Sequence, residues 1–173
     1  PHARLHYGDG FYYIKRHLIF LVIGASIMVF LSRVRIELIK KISPIFYGVC
    51  ALLLVAVLFT GFSEGVAKRW LGIPGTPLSF QPSELMKVSL VLILAWYIEK
   101  FKPQIDARID RWQTIKYNVV GPGIFVGAAC ILILAEKHLS GTIITGIIAL
   151  AVMFVGGCHF GWTALIFGIA GAG

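Results

Sequence analysis

The chain has 173 residues, of which 58% are hydrophobic and only 14% charged, and its mean hydropathy is +0.85. A water-soluble domain of this size has too little polar surface to cover so much apolar side chain, which excludes that class. The net charge of +8, from 16 Lys and Arg against 8 Asp and Glu, sits between apolar blocks, so it reads as the basic flanking of membrane spans and not as a nucleic-acid surface.

The apolar blocks suit a bilayer, whose core takes about 20 mostly apolar residues per helix. Phe11, Tyr12, Tyr13, Lys15 and Arg16 form an aromatic, basic edge ahead of a first predicted span at 17–32. A short basic loop with Arg33, Arg35, Lys40 and Lys41 leads to a second span at 45–62. Residues 63–83 contain Gly65, Gly72, Pro74, Gly75, Pro77 and Pro82, a run that excludes a continuous helix. The third span is expected at 82–98, with Pro82 as its first helical residue and Glu84 in its first turn.

A charged loop at 100–116 alternates acidic and basic residues and suits a helix lying on the surface. A fourth span at 119–135, the polar break Glu136-Lys137-His138 and a fifth span at 139–158 follow, with a sixth at 160–173 after a tight turn. The fold class is therefore all-α, a polytopic transmembrane helix bundle forming one transmembrane domain over 1–173. The chain does not begin with Met and stops inside an apolar block, so it is expected to be the middle of a longer protein. Loops 33–41 and 99–116 hold nine Lys and Arg against six in the alternate segments, which puts the first set in the cytoplasm. Residues 63–83 and 136–138 are then expected on the outer face.

Polar residues in or beside spans are costly and often functional. Lys68-Arg69-Trp70 reads either as an interfacial Trp with basic flanks or as a cradle for an anionic, amphiphilic head group. Glu84 and Lys87 stand three apart, on one helix face. A helix start explains Glu84, but Lys87 lies about a turn into the apolar run and needs a partner or a water-filled cavity. Glu136 through Thr142 is either a tight turn with a helix start or a third polar site. His138 has no second His or carboxylate at ligand spacing, so no metal site is expected. Cys50, Cys130 and Cys158 lie in apolar blocks and read as packing residues.

Lys68-Arg69-Trp70-Leu71-Gly72, followed by Phe80-Gln81-Pro82-Ser83-Glu84-Leu85-Met86-Lys87, resembles the signature of the SEDS family of FtsW/RodA/SpoVE proteins. The resemblance runs over the whole chain, as spans two to six and part of seven of about ten in the family. It departs at Glu136–Thr142, where the family usually has a Gln-Pro-Asp-Leu-Gly-Thr-like element; Glu136 stands at the Gln, Lys137 at the Pro and His138 at the Asp. The resemblance implies a peptidoglycan glycosyltransferase that polymerises lipid II at the outer face of the bacterial cytoplasmic membrane.

Lys68, Arg69, Trp70, Gln81, Ser83, Glu84 and Lys87 would bind the substrate, with Glu136 and His138 as further candidates. The family's base is expected on an Asp in an outer loop beyond Gly173, so these residues alone are expected to be inactive. No cofactor is identifiable, although a divalent cation is compatible with the chemistry. The expected partners are lipid II, membrane lipids and a class B penicillin-binding protein acting as transpeptidase; no nucleic acid is expected. A flippase for lipid-linked precursors and a non-catalytic scaffold for the transpeptidase are the competing functions.

Overall fold

The computed structural model describes the backbone of residues 12–60, 62–63, 68–72, 79–107 and 111–158. The sixth expected span, at 160–173, lies outside them. The chain divides into two compact units, Pro1–Ile39 and Lys40–Gly173.

The first unit is dominated by α1, Tyr12–Ser32. Every side chain from His17 to Ser32 is exposed, although most are apolar. Water would not tolerate a helix apolar all round and uncovered on every side, whereas lipid solvates it. Its serines donate to their own helix, Ser26 Oγ to the Val22 carbonyl at 2.8 Å and Ser32 Oγ to that of Val29 at 2.7 Å. Neither serine hydroxyl is thereby left bare to lipid.

α2 runs over Ile36–Thr60 and crosses from the first unit into the second. It begins nine residues before the expected 45–62 span. Pro44 and the flanking lysines mark a boundary in sequence terms, yet the helix carries Pro44 inside. Neighbouring helices can satisfy the carbonyl that Pro44 leaves free, and Lys40 and Lys41 sit where long basic chains reach the interface. Residues Ile36–Phe59 are apolar and, at 24 residues or about 36 Å, long enough to cross a bilayer with some tilt. Only one stripe is buried, Ser43, Cys50, Leu54 and Val57, at alternating steps of seven, four and three; Ile45, Leu52 and Phe59 face outward.

Residues 62–80 contain three short strands, β1 (Phe62–Ser63), β2 (Lys68–Gly72) and β3 (Ser79–Phe80). β2 is the middle strand and both pairings are antiparallel. Its register sets Phe62 opposite Trp70, Leu71 opposite Phe80 and Gly72 opposite Ser79. The glycines and prolines that exclude a helix here thus leave room for a small sheet on top of the bundle.

α3, Pro82–Lys100, is the central helix of the second unit, and it packs mainly on the helices at Gly121–Ala135 and Leu139–Val155. Its buried apolar residues Met86, Leu90, Ile93, Leu94, Tyr97 and Ile98 recur at helical spacing. Short helices α4 (Lys102–Ala107) and α5 (Arg111–Ile115) stand where a surface helix was expected. A π-helical turn, Lys116–Val120, joins α5 to α6, Gly121–Ala135. Pro122 offers no N–H to the carbonyl four residues back, and the Gly121 N–H bonds to the Lys116 carbonyl instead, widening the turn. Helical residues Trp112–Ala135 thus make a second segment long and apolar enough to cross.

α7 covers Leu139–Val155. Its buried stripe is Gly141, Thr145, Ala149 and Met153, mostly small residues that let helix backbones approach closely. Thr145 Oγ1 donates to the Gly141 carbonyl at 2.7 Å. Gly157, at φ +86, turns the chain out of α7. Cys50 and Cys158 are buried, Cys130 is half-buried, and all three are free. The architecture is a membrane helix bundle: long helices, inward stripes, and large apolar side chains left outward.

Candidate functional site

Gln81 N-caps α3, and His138 stands in the same position on α7. Their side chains meet, with Gln81 Nε2 3.4 Å from His138 Nδ1. That contact puts the starts of two neighbouring helices at one end of the bundle, directly below the small sheet. Neither Gln81 nor His138 caps its own helix with a side-chain hydrogen bond. The first-turn N–H groups and the positive ends of two helix dipoles therefore face one region, an arrangement that favours negative charge.

Each sequence candidate takes a definite place. Pro82 opens α3 and is buried, and beside it Ser83 is 1% exposed. The Ser83 Oγ has no hydrogen-bond partner among the described residues. Glu84 and Lys87 form the expected i,i+3 pair, with Lys87 Nζ 2.7 Å from Glu84 Oε2. The two ends of this pair differ. The Glu84 side chain is 58% exposed, while that of Lys87 is 18% exposed, about 7.5 Å further along the helix than Pro82. A partly buried ammonium is thus held by a carboxylate that reaches the surface. Exposed pairs of this kind stabilise a fold by less than about 1 kcal/mol, so folding alone gives little reason to bury the lysine.

Glu136 closes α6 and is 2% exposed. Lys137 follows at φ +57, a left-handed position that reverses the chain within three residues. Thr142 Oγ1 donates to the His138 carbonyl at 3.1 Å, tying the turn to α7. Gly141 has a role that sequence reasoning missed. A Cβ there would run into the His138 imidazole, so the glycine makes room for the ring to lie on the first turn of α7. The only sequence signal was a glycine three residues after the histidine.

Lys68, Arg69 and Trp70 lie on β2, and their side chains are outside the described residues. The backbone pairing still sets their strand beside β3, whose Phe80 immediately precedes Gln81. β2 also touches α3. The structure therefore brings the KRW strand, the Gln81–Lys87 helix start and the Glu136–His138 turn to one end, although they are separated by up to about 70 residues of sequence. Among the described residues no three of His, Cys, Asp and Glu cluster.

Comparison with known proteins places the chain in a family. The family model for the FtsW/RodA/SpoVE cell cycle proteins matches residues 1–173. A probable peptidoglycan glycosyltransferase FtsW from Polynucleobacter necessarius is 30% identical over 155 residues, covering 88% of this chain and 34% of the relative. Among solved structures, a variant of the rod shape determining protein RodA from Thermus thermophilus superposes with a TM-score of 0.71 at 25% identity, over 87% of this chain and 47% of that one. A chain from a peptidoglycan synthase complex, described as coordinating polymerization and crosslinking, gives a TM-score of 0.69 at 25% identity, over 91% and 43%. The chain spans between about a third and two-fifths of the length of the curated relatives it matches.

Proposed function

Because this chain belongs to the FtsW/RodA/SpoVE family of cell cycle proteins, we propose that it forms the substrate-binding part of a peptidoglycan glycosyltransferase acting on lipid II at the outer face of the bacterial cytoplasmic membrane. The observation that carries this reading is the meeting of the Gln81–Lys87 helix start with the Glu136–His138 turn, through Gln81 and His138. In such a reaction a sugar hydroxyl attacks the anomeric carbon of the lipid-linked sugar. A new C–O bond forms, the bond to pyrophosphate breaks, and undecaprenyl pyrophosphate leaves with the electron pair. The developing negative charge needs fixed positive partners, and the hydroxyl needs a base.

Lys87, held by Glu84, and the positive ends of the two helix starts supply the positive side. Lys68 and Arg69 add cations from β2, and Trp70 offers an apolar, interfacial surface to the lipid end. The base comes from an outer-loop Asp beyond residue 173, as the family resemblance implies. In this reading the protein crosses the cytoplasmic membrane several times and works beside a class B transpeptidase. The description of the synthase complex, polymerization coordinated with crosslinking, supports such a pairing.

The test is Lys87→Ala in the full-length protein, purified with its transpeptidase and assayed for lipid II polymerisation. Polymerisation is expected to be abolished while the amount of protein in the membrane stays parental. Near-parental turnover would overturn the proposal.

A further inference from the structure

A groove between α3 and α7, at the ends of both helices away from Gln81 and His138, takes no part in the proposed reaction. It is open and holds about 530 Å³. Ala95 and Ile98 wall it on one side and Ala151, Val152 and Val155 on the other, and Val155 is 86% exposed. Glu99 and Lys102 line it as well. Ala95 to Glu99 covers about 6 Å of α3, and Lys102 lies beyond. The walls therefore change from apolar to charged in one direction, as a lipid does from acyl chain to head group.

The two charges have opposite sign, and each is held by a partner of its own. Lys40 Nζ bonds to Glu99 Oε1, while Lys102 Nζ donates to the Gly156 carbonyl at 3.1 Å and pairs with Asp106 at 3.3 Å. The four side chains sum to zero charge. The Glu99 side chain is 54% exposed and that of Lys102 48%, so both stay within reach of a ligand in the groove. A carboxylate accepts about four hydrogen bonds and an ammonium donates three, so each serves its holder and a ligand together. The Phe101 N–H bonds to the Tyr97 carbonyl at 3.0 Å and the Ile105 N–H to the Phe101 carbonyl at 2.9 Å, so the backbone keeps winding past Lys100. Glu99 and Lys102, three residues apart on that winding, therefore meet neighbouring parts of one head group.

We propose that this groove binds a glycerophospholipid with a zwitterionic, primary-amine head group, phosphatidylethanolamine. An acyl chain lies along the apolar walls, the ammonium meets Glu99 and the phosphate meets Lys102. Charge complementarity selects this occupant. An anionic lipid suits Lys102 but brings Glu99 no cation and adds negative charge to a neutral cluster. Phosphatidylcholine is balanced, but its quaternary ammonium has no N–H to give the carboxylate. An apolar helix covers the walls without bringing a matched pair of charges to their ends. The proposal is independent of the glycosyltransferase reading, because it concerns the other end of the bundle and needs no catalysis.

The experiment uses the purified full-length protein in phosphatidylcholine nanodiscs with a trace of phosphatidylethanolamine that carries a photoactivatable diazirine on its acyl chain. Crosslinked peptides are mapped by mass spectrometry. Crosslinks are expected on Ile98, Val152 and Val155, above the level at Ile131, which is 69% exposed on α6. Replacing part of the phosphatidylcholine with unlabelled phosphatidylethanolamine should displace the probe, and replacing it with phosphatidylglycerol should not. Glu99→Gln should cut this preference by about two- to fivefold, the range of one exposed ion pair. Lys40→Gln breaks the same ion pair but leaves the carboxylate, so it should keep the preference; equal loss in both variants would reduce Glu99 to a strut and overturn the proposal. Labelling that ignores added phosphatidylethanolamine, or yields more to phosphatidylglycerol, would overturn it too. So would labelling in the groove no higher than at Ile131, which would assign the groove to a helix of the remaining protein.

Discussion

Two glycines separate packing from positioning at the level of single residues. A Cβ at Gly121 meets the Tyr97 phenol, and Tyr97 is buried among Phe101 and Phe125 at ring distances of 4.7 and 6.0 Å. That ring has nowhere to go, so Gly121→Ala should destabilise the bundle by about 1–3 kcal/mol, the usual range for overpacking. Thermal unfolding in detergent would measure it. The three atoms nearest a Cβ at Gly141 all belong to the half-buried His138 imidazole, a side chain that can swing aside. Gly141→Ala should leave the unfolding temperature near parental yet separate His138 from Gln81. Reduced lipid II polymerisation at parental stability is the expected signature; parental turnover would show that the Gln81–His138 contact does not serve the site. Arg69 poses a related question of shape. Its planar fork grips phosphate oxygens in pairs, as an ammonium does not. Arg69→Lys should therefore lose most polymerisation although the charge is kept, and a variant as active as the parent would reduce Arg69 to an interfacial anchor.

The long helices α2, α6 and α7 are buried on one stripe yet apolar around most of their surface, and α3 has a buried stripe too; that contrast makes a prediction for whole elements. Leu90 is fully buried in the central stripe of α3, while Ile131 on α6 is 69% exposed. Leu90→Ala should cost about 2–5 kcal/mol by opening a cavity against α6 and α7. Ile131→Ala should cost almost nothing, because lipid or detergent fills the space. Equal losses at the two positions in a detergent unfolding series would contradict the lipid-facing assignment. This pattern also explains what the sequence could and could not disclose. Length and hydropathy are enough to locate the apolar segments, because a bilayer demands them. They do not locate helix ends. α2 runs on through Pro44 to Ile36, and its inner end is tied by Lys40 to Glu99, 59 residues away. The π-helical turn follows from a single Pro122 and leaves no periodic signal. Glu84 and Lys87 were legible as a pair because three residues along a helix share a face. The Gln81–His138 contact joins residues 57 apart, and only the packing of α3 against α7 creates it.

For the whole molecule, the decisive quantity is which end faces the outside. Basic residues concentrate in segments 33–41 and 99–116, and such segments are retained in the cytoplasm. α2 ends, and α3 begins, at the end of the second unit that holds β2, Gln81 and His138, whereas Lys40, Glu99, Lys100 and Lys102 lie at the other. If the positive-inside rule governs, the candidate site faces outward, as the proposed polymerase requires, and the Lys40, Glu99, Lys100 and Lys102 end faces the cytoplasm. The three native cysteines are buried or half-buried in apolar surroundings and can be removed to give a silent background. Into it, Trp70→Cys and Asp106→Cys place one thiol at each end; the Asp106 side chain is 58% exposed, so a reagent can reach it. In intact cells a membrane-impermeant maleimide should label position 70, and position 106 only after permeabilisation. The reverse labelling would invert the bundle. It would put Gln81, Lys87 and His138 on the cytoplasmic side, and no polymerase of outward-facing lipid II could then use them.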